Sequence, residues 1–411
     1  MTTGIIITLC SLILISYVFD LTSAKTRIPS VILLLLIGWL MRQLAVQFGI
    51  NVPDLSEALP VIGTIGLILI VLEGSMDLEL DRSKKRVVLN SLLLALLPML
   101  ILGTGLALII QQVSEVSFRT ALVNVIPISV ISSAIAIPSA QSLCKANREL
   151  VTYESSLSDI FGVIFFNFVA LNETFGWLTF GSFFLQIIIT LVISFAGIIG
   201  LSVLLHSITH HVKFVPVIML VILLYAISKV LHLPGLIFIL LFGIFLANLN
   251  QLHKVKWVKV FHIESLKKEF VRFKEIVGEA SFLIRTLFFL LFGFMIETEE
   301  LLNTQSLPWA LAITAGIFAI RFAFLKMLKI KEFTFLFIAP RGLITILLFL
   351  SVAQSDRIDI ISTSLVIQIV IITALIMMFG LMRTKRTVPS EIPMSNTEEP
   401  ISEESDNNAA Q

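Results

Sequence analysis

Apolar runs of about 20 residues, the length that carries a helix across ~30 Å of hydrocarbon, recur along almost the whole of this chain. They fall at roughly 4–21, 28–47, 58–77, 87–110, 120–143, 152–171, 181–205, 213–231, 233–250, 278–297, 306–326, 333–354 and 361–382. Thirteen such runs in 411 residues leave little chain from which to build a water-facing coat. Only 14% of the residues are charged and 57% are hydrophobic, whereas a soluble protein keeps about a quarter charged. In hydrocarbon each backbone N–H and C=O must be satisfied within the protein, so the runs are read as helices. The expected fold is therefore all-α and polytopic, with about 13 transmembrane helices.

Two stretches interrupt the pattern. Residues 251–277, "QLHKVKWVKVFHIESLKKEFVRFKEIV", are too charged to span, and their apolar residues keep to one helical face, which predicts a helix lying on the membrane surface. Residues 387–411 are polar and acidic, and predict a disordered cytoplasmic tail after a membrane domain over 1–386. If the loops alternate sides, 22 of the 29 basic residues gather on one side and four, Arg42, Arg119, Lys229 and Arg357, on the other. Positive loops favour the cytoplasm, so the amino terminus is expected outside and the carboxyl terminus inside the cell membrane. A net charge of +1 argues against nucleic acid as a partner. Cys10 and Cys144 form neither a disulfide framework nor a metal site, and nothing in the pattern calls for a cofactor. The start, "MTTGIIITLC", lacks a charged n-region and is read as a retained span.

The chain also repeats itself. "RIPSVILLLLIGWLMRQL" (27–44) aligns with "HLPGLIFILLFGIFLANL" (232–249), matching Pro29 with Pro234 and Gly38 with Gly243. "VLEGSM" (71–76) aligns with "LLFGFM" (290–295). Spans 1–6 (about 4–171) thus repeat as spans 8–13 (about 213–382), and an offset of seven spans inverts the second copy. Inverted repeats mark secondary transporters, whose sites are built where interrupted helices of the two halves meet near the midplane. The corresponding spans five, "ISSAIAIPSA", and twelve, "FIAPRGLITI", each hold a proline, and breaks are expected at Pro138 and Pro340.

Span six carries the chemistry, in "YESSLSDIFGVIFFNF" (153–168). Asp159 lies about 12 Å along the helix from its inner end at 1.5 Å per residue. A charged Asp there costs ~2.5–3.5 kcal/mol on insertion scales, so it needs a partner or a role. Ser155 shares its face, and Glu154 and Ser158 share the next one. Such a patch of oxygen atoms suits a small alkali cation or a proton. Arg341, in the break of span twelve, is the expected ion-pair partner of Glu154, which leaves Asp159 free to titrate; the bland alternative pairs Asp159 with Arg341 as a tie between helices.

With these residues in order, the chain resembles the monovalent cation/proton antiporters, and within them the electroneutral sodium/proton exchangers. The resemblance covers roughly 5–383 and rests on "RIPSVILLLLIG", "LILIVLEGSMDL", "ESSLSDIFGVI", "FFLLFGFMIE" and "APRGLI". It implies that Asp159 binds cation and proton in turn, that Glu154 pairs with Arg341, and that Ser155 is the family's serine next to that Glu. It implies further that Ser158 replaces the family's Asn, that Ser132 and Ser133 replace its Thr-Asp, and that the protein works in the membrane as a homodimer. With a single carboxylate at the site, exchange of one Na+, Li+ or K+ for one H+ is the expected activity. A channel or uniporter with the same oxygen-lined site is the alternative, and no enzyme motif competes. Other polar groups are weaker candidates: Arg285 and Glu279 as a supporting ion pair, Glu73 reaching water near the inner end of span three, Asn167 and Asn172 as interhelical or outer-mouth groups, His206 and His210 in a solvated loop.

Overall fold

In the computed structural model of the protein, residues 10–19, 21–22, 28–49, 57–78, 84–173, 176–207, 214–231, 233–249, 263–330 and 332–383 are described. Their regular structure is helical: α1 (Cys10–Phe19), α2 (Ser30–Gln47), α3 (Ala58–Met76), α4 (Lys85–Ser114), α5 (Phe118–Ser129), α6 (Ser133–Ser139), α7 (Lys145–Leu171), α8 (Trp177–Ser207), α9 (Phe214–Val230), α10 (Gly235–Ala247), α11 (Ile263–Met295), α12 (Leu307–Met327), α13 (Thr334–Phe337), α14 (Leu343–Leu350) and α15 (Thr363–Arg383), with short helical turns between. The protein is a multi-pass membrane protein.

Counted by length and apolarity, nine segments among the described residues qualify as crossings, against the thirteen expected, with three shorter apolar helices (α1, α9 and α10) beside them. The difference has a physical source. Span twelve is divided into α13 and α14, each far too short to cross alone, and α10 is only 13 residues long. The surface helix expected over 251–277 also takes another form. Residues 251–262 lie outside the described ones, and 263–277 run without a break into the following span as α11. Phe273 and Val277 explain the continuity, because both are fully buried and extend the apolar face of the span below the charged turns. The tail at 387–411 is outside the described residues.

Two groups of helices form. α4, α5, α6, α7, α12, α14 and α15 pack on one another, while α2 and α3 pack on α11 and α10. The inverted repeat is visible in that second group at atomic detail. Gly38 of α2 lies against α11 so closely that a Cβ there would strike the carbonyl oxygen of Leu290 and the backbone nitrogen of Phe294. Its counterpart, Gly243 of α10, lies against α3, where a Cβ would strike Ser75 and the carbonyl oxygen of Leu72. Residues 290–294 and 71–75 are themselves counterparts in the sequence repeat. The two crossings are the same contact made twice with the partners exchanged, and glycine is what lets the backbones approach.

Candidate functional site

The site is built where two helices stop. Between α5 and α6 the chain leaves the helix over 130–132, and between α13 and α14 over 338–342. Unpaired backbone groups are intolerable at membrane depth unless protein satisfies them. Many of the freed groups have identifiable partners. Ser158 Oγ accepts from Ile131 N–H at 3.0 Å, and the Pro340 carbonyl accepts from Ser132 N–H at 2.9 Å, which ties one break to the other. Ser133 N–H points at Asp159 Oδ2 over 3.3 Å. Thr373 Oγ1 accepts from Arg341 N–H and Thr345 Oγ1 from Gly342 N–H. The freed carbonyls of Ile128, Ser129 and Ala339 all receive N–H groups from the Arg341 guanidinium, the first at 2.6 Å.

These bonds correct two expectations. Pro138 does not break its helix: it lies inside α6, and the break falls six residues earlier, where Ser158, Asp159, Arg341 and Pro340 compensate the backbone. Pro340 does sit in its break. Nor does Arg341 pair with Glu154; its guanidinium bonds go to the carbonyls the breaks release. The partner of Glu154 is Arg321 of α12, which grips both carboxylate oxygens, Oε2 at 3.0 Å, and also donates to the Phe335 carbonyl at 2.7 Å. Arg341 and Asp159 form no ion pair either, so the simple tie between helices is not what the protein builds.

Asp159 is 2% exposed. Its Oδ2 accepts a short hydrogen bond from the Ser133 hydroxyl as well as facing Ser133 N–H. Its Oδ1 is buried with no hydrogen-bond partner. The carboxylate is thus held by one oxygen and presents the other, and Ser132 and Ser133 bring the α6 end of the break to it. Ser155 is buried beside it with its hydroxyl turned back to the Val151 carbonyl at 2.8 Å. Ser158 faces the break.

Open space differs on the two sides of the site. A cleft of about 510 Å³ lies between α3, α7, α9 and α14, lined by Thr64, Leu67, Val163, Asn167, Tyr225, Lys229 and Leu347 among others. Val163 is one turn of α7 from Asp159. Towards the opposite end α7 is packed tightly against α3, Ser156 on Gly74. A separate cavity of about 20 Å³, room for one water, lies among Ser129, Ser158, Arg321 and Arg341. Of the weaker candidates, Asn167 lines the cleft and Asn172 a neighbouring one. His210 is outside the described residues. Sequence reasoning missed Arg321, although the signal was available: an arginine within a span needs a partner, and this one had been given none.

An all-helical membrane fold of two inverted repeats, whose interrupted helices meet at a buried carboxylate, defines a secondary transporter. The chain belongs to the sodium/hydrogen exchanger family, whose transmembrane model it matches over residues 9–384. No curated protein matches it by sequence. Its fold is similar to that of the sodium proton antiporter MjNhaP1 from Methanocaldococcus jannaschii, in a structure at pH 8. That similarity has a TM-score of 0.65 at 17% identity and covers 93% of this chain and 96% of that one. A second structure of the same antiporter, from an electron-microscopy map, gives 0.66 at 17% identity over 95% and 100%.

Proposed function

We propose that the protein exchanges a monovalent cation, Na+ in the first instance, for H+ by alternating access, with Asp159 binding the two in turn. The observation that carries this reading is the Asp159 carboxylate: buried, held at Oδ2 by Ser133, without a protein partner at Oδ1, and one helical turn from Val163 in the lining of an open cleft. A carboxylate in hydrocarbon crosses at low cost only when neutralised. Either a proton or a cation does so, and one carboxylate cannot hold both, which couples the two fluxes. Glu154 takes no part in the exchange because Arg321 occupies both its oxygens. Two ionised residues that neutralise each other leave Asp159 as the one charge that varies, and exchange is one for one. Ser133 holds the carboxylate, Ser132 and Ser158 secure the break beside it, and Ser155 stands near as an oxygen. The positive loops put the carboxyl terminus in the cytoplasm. The cleft then opens outward, in a cell-membrane protein that the family resemblance makes a homodimer.

The test is reconstitution in vesicles, following internal pH after addition of sodium, lithium or potassium, beside an Asp159→Asn variant. Cation-driven proton movement by the parent and none by the variant is expected, with no dependence on an imposed voltage. Proton movement by the variant equal to the parent's would remove Asp159 from the mechanism, and cation flux that follows voltage without proton movement would make the protein a channel.

A further inference from the structure

A buried serine in a helix has an easy partner, the carbonyl four residues back. Ser129, Ser139 and Ser155 all take it, bonding to Val125, Ile135 and Val151. Ser156 does not. It is 1% exposed and its Oγ has no hydrogen-bond partner. Instead the hydroxyl faces α3, where it lies 2.8 Å from the point a Cβ on Gly74 would occupy. Leaving a buried hydroxyl unbonded costs about 1–3 kcal/mol, and the alternative was one rotamer away.

Only one other side-chain oxygen of α7 is in the same condition, Asp159 Oδ1. Residues three apart on a helix are neighbours on its surface, with Cβ atoms about 5–6 Å apart. The two residues are therefore neighbours on α7, Ser156 turned to Gly74 of α3 and Asp159 to Ser133 of α6, each with one buried oxygen that has no hydrogen-bond partner. We infer that Ser156 Oγ is a further ligand of the transported cation, completing with Asp159 Oδ1 a two-oxygen grip on a hard monovalent ion. The inference rests on the reading of Asp159 as the exchange site. It is specific to the cation, because a proton needs the carboxylate alone, whereas an alkali ion gains from every added oxygen. It leaves the charge balance untouched, since a hydroxyl brings none. Gly74 is part of the device: lacking a Cβ, it leaves free the space against which the hydroxyl lies.

The experiment compares parent, Ser156→Ala and Asp159→Asn in vesicles, measuring KM and kcat for Na+, Li+ and K+ across a pH series. Ser156→Ala should raise KM for the transported cation about tenfold, the size of one lost polar interaction. The rise should fall on KM rather than kcat, by the same factor at every pH, because proton binding at Asp159 is unaltered. Its melting temperature should be equal to or above the parent's, since an unbonded buried hydroxyl has been removed; a structural role would lower it. Ser156→Gly, which also lacks the hydroxyl, should repeat the KM change. A KM within twofold of the parent for all three ions would overturn the inference while an inactive Asp159→Asn kept the exchange reading intact. A parent that moved no protons in response to any cation would overturn both.

Discussion

At the scale of single residues the site depends on which polar group answers which. Arg321 and Glu154 form a buried pair, and breaking such a pair from one side strands a charge at a cost of about 3–5 kcal/mol. Arg321→Met should lower the melting temperature of the detergent-solubilised protein sharply, and Glu154→Met likewise. The double variant should melt above either single one, because an apolar pair of similar volume leaves no charge unpaired. If the double variant were the least stable of the three, the pair would not be acting as a pair. Ser158 gives a second case. Its hydroxyl oxygen satisfies Ile131 N–H in the break, so Ser158→Ala should cost about 1–3 kcal/mol. Ser158→Asn, which keeps an acceptor, should cost less. Loss of stability by the alanine variant no greater than by the asparagine one would remove Ser158 from the break.

At the scale of elements, what distinguishes this assembly from thirteen greasy helices is how closely some of them cross. Gly38 brings α2 onto the backbone of α11, and Gly243 brings α10 onto Ser75 of α3, so a side chain at either has nowhere to go. Gly38→Leu and Gly243→Leu should each abolish recovery of folded protein, and to the same degree, because they spoil equivalent crossings. Gly105, in α4, has nothing within 4 Å of its would-be Cβ. Gly105→Ala should be neutral or stabilising by about 0.5–1 kcal/mol, the helix preference for alanine. Size-exclusion profiles of the three variants decide the matter: equal yield from Gly38→Leu and the parent would mean that α2 and α11 do not meet as described.

At the scale of the whole molecule, the cleft and the closed contact opposite it lie on two sides of one carboxylate. With the exposed Cys10 and Cys144 replaced by serine, an Asn167→Cys variant should react with a membrane-impermeant thiol reagent added from the cleft side, and Gly74→Cys should not react from either side in the same state. Reaction of the Gly74 variant from the opposite side alone would mark the other orientation of the carrier. α2 with α11 and α3 with α10 form a second set of packed helices beside the group that holds Asp159.

Much of this was determined by the sequence. The length and number of apolar runs dictate a multi-pass helical protein because no other structure satisfies its backbone in lipid. The shared register of Pro29 with Pro234 and Gly38 with Gly243 determined an inverted repeat, because such residues punctuate helices at fixed places whatever surrounds them. Asp159 stood out because a carboxylate within a span is costly anywhere. Three matters were left to the tertiary structure. Arg321 rather than Arg341 reaches Glu154, because a guanidinium on a long side chain serves whichever acceptors converge on it, and Arg341 is claimed by carbonyls that exist only once the helices break. The break in span five falls at 130–132 and not at Pro138, because a helix ends where outside groups satisfy its backbone, and Ser158, Asp159 and Pro340 come from other segments. Last, the unbonded hydroxyl of Ser156 looks in sequence like its neighbour Ser155; only the approach of Gly74 on α3 tells the two apart.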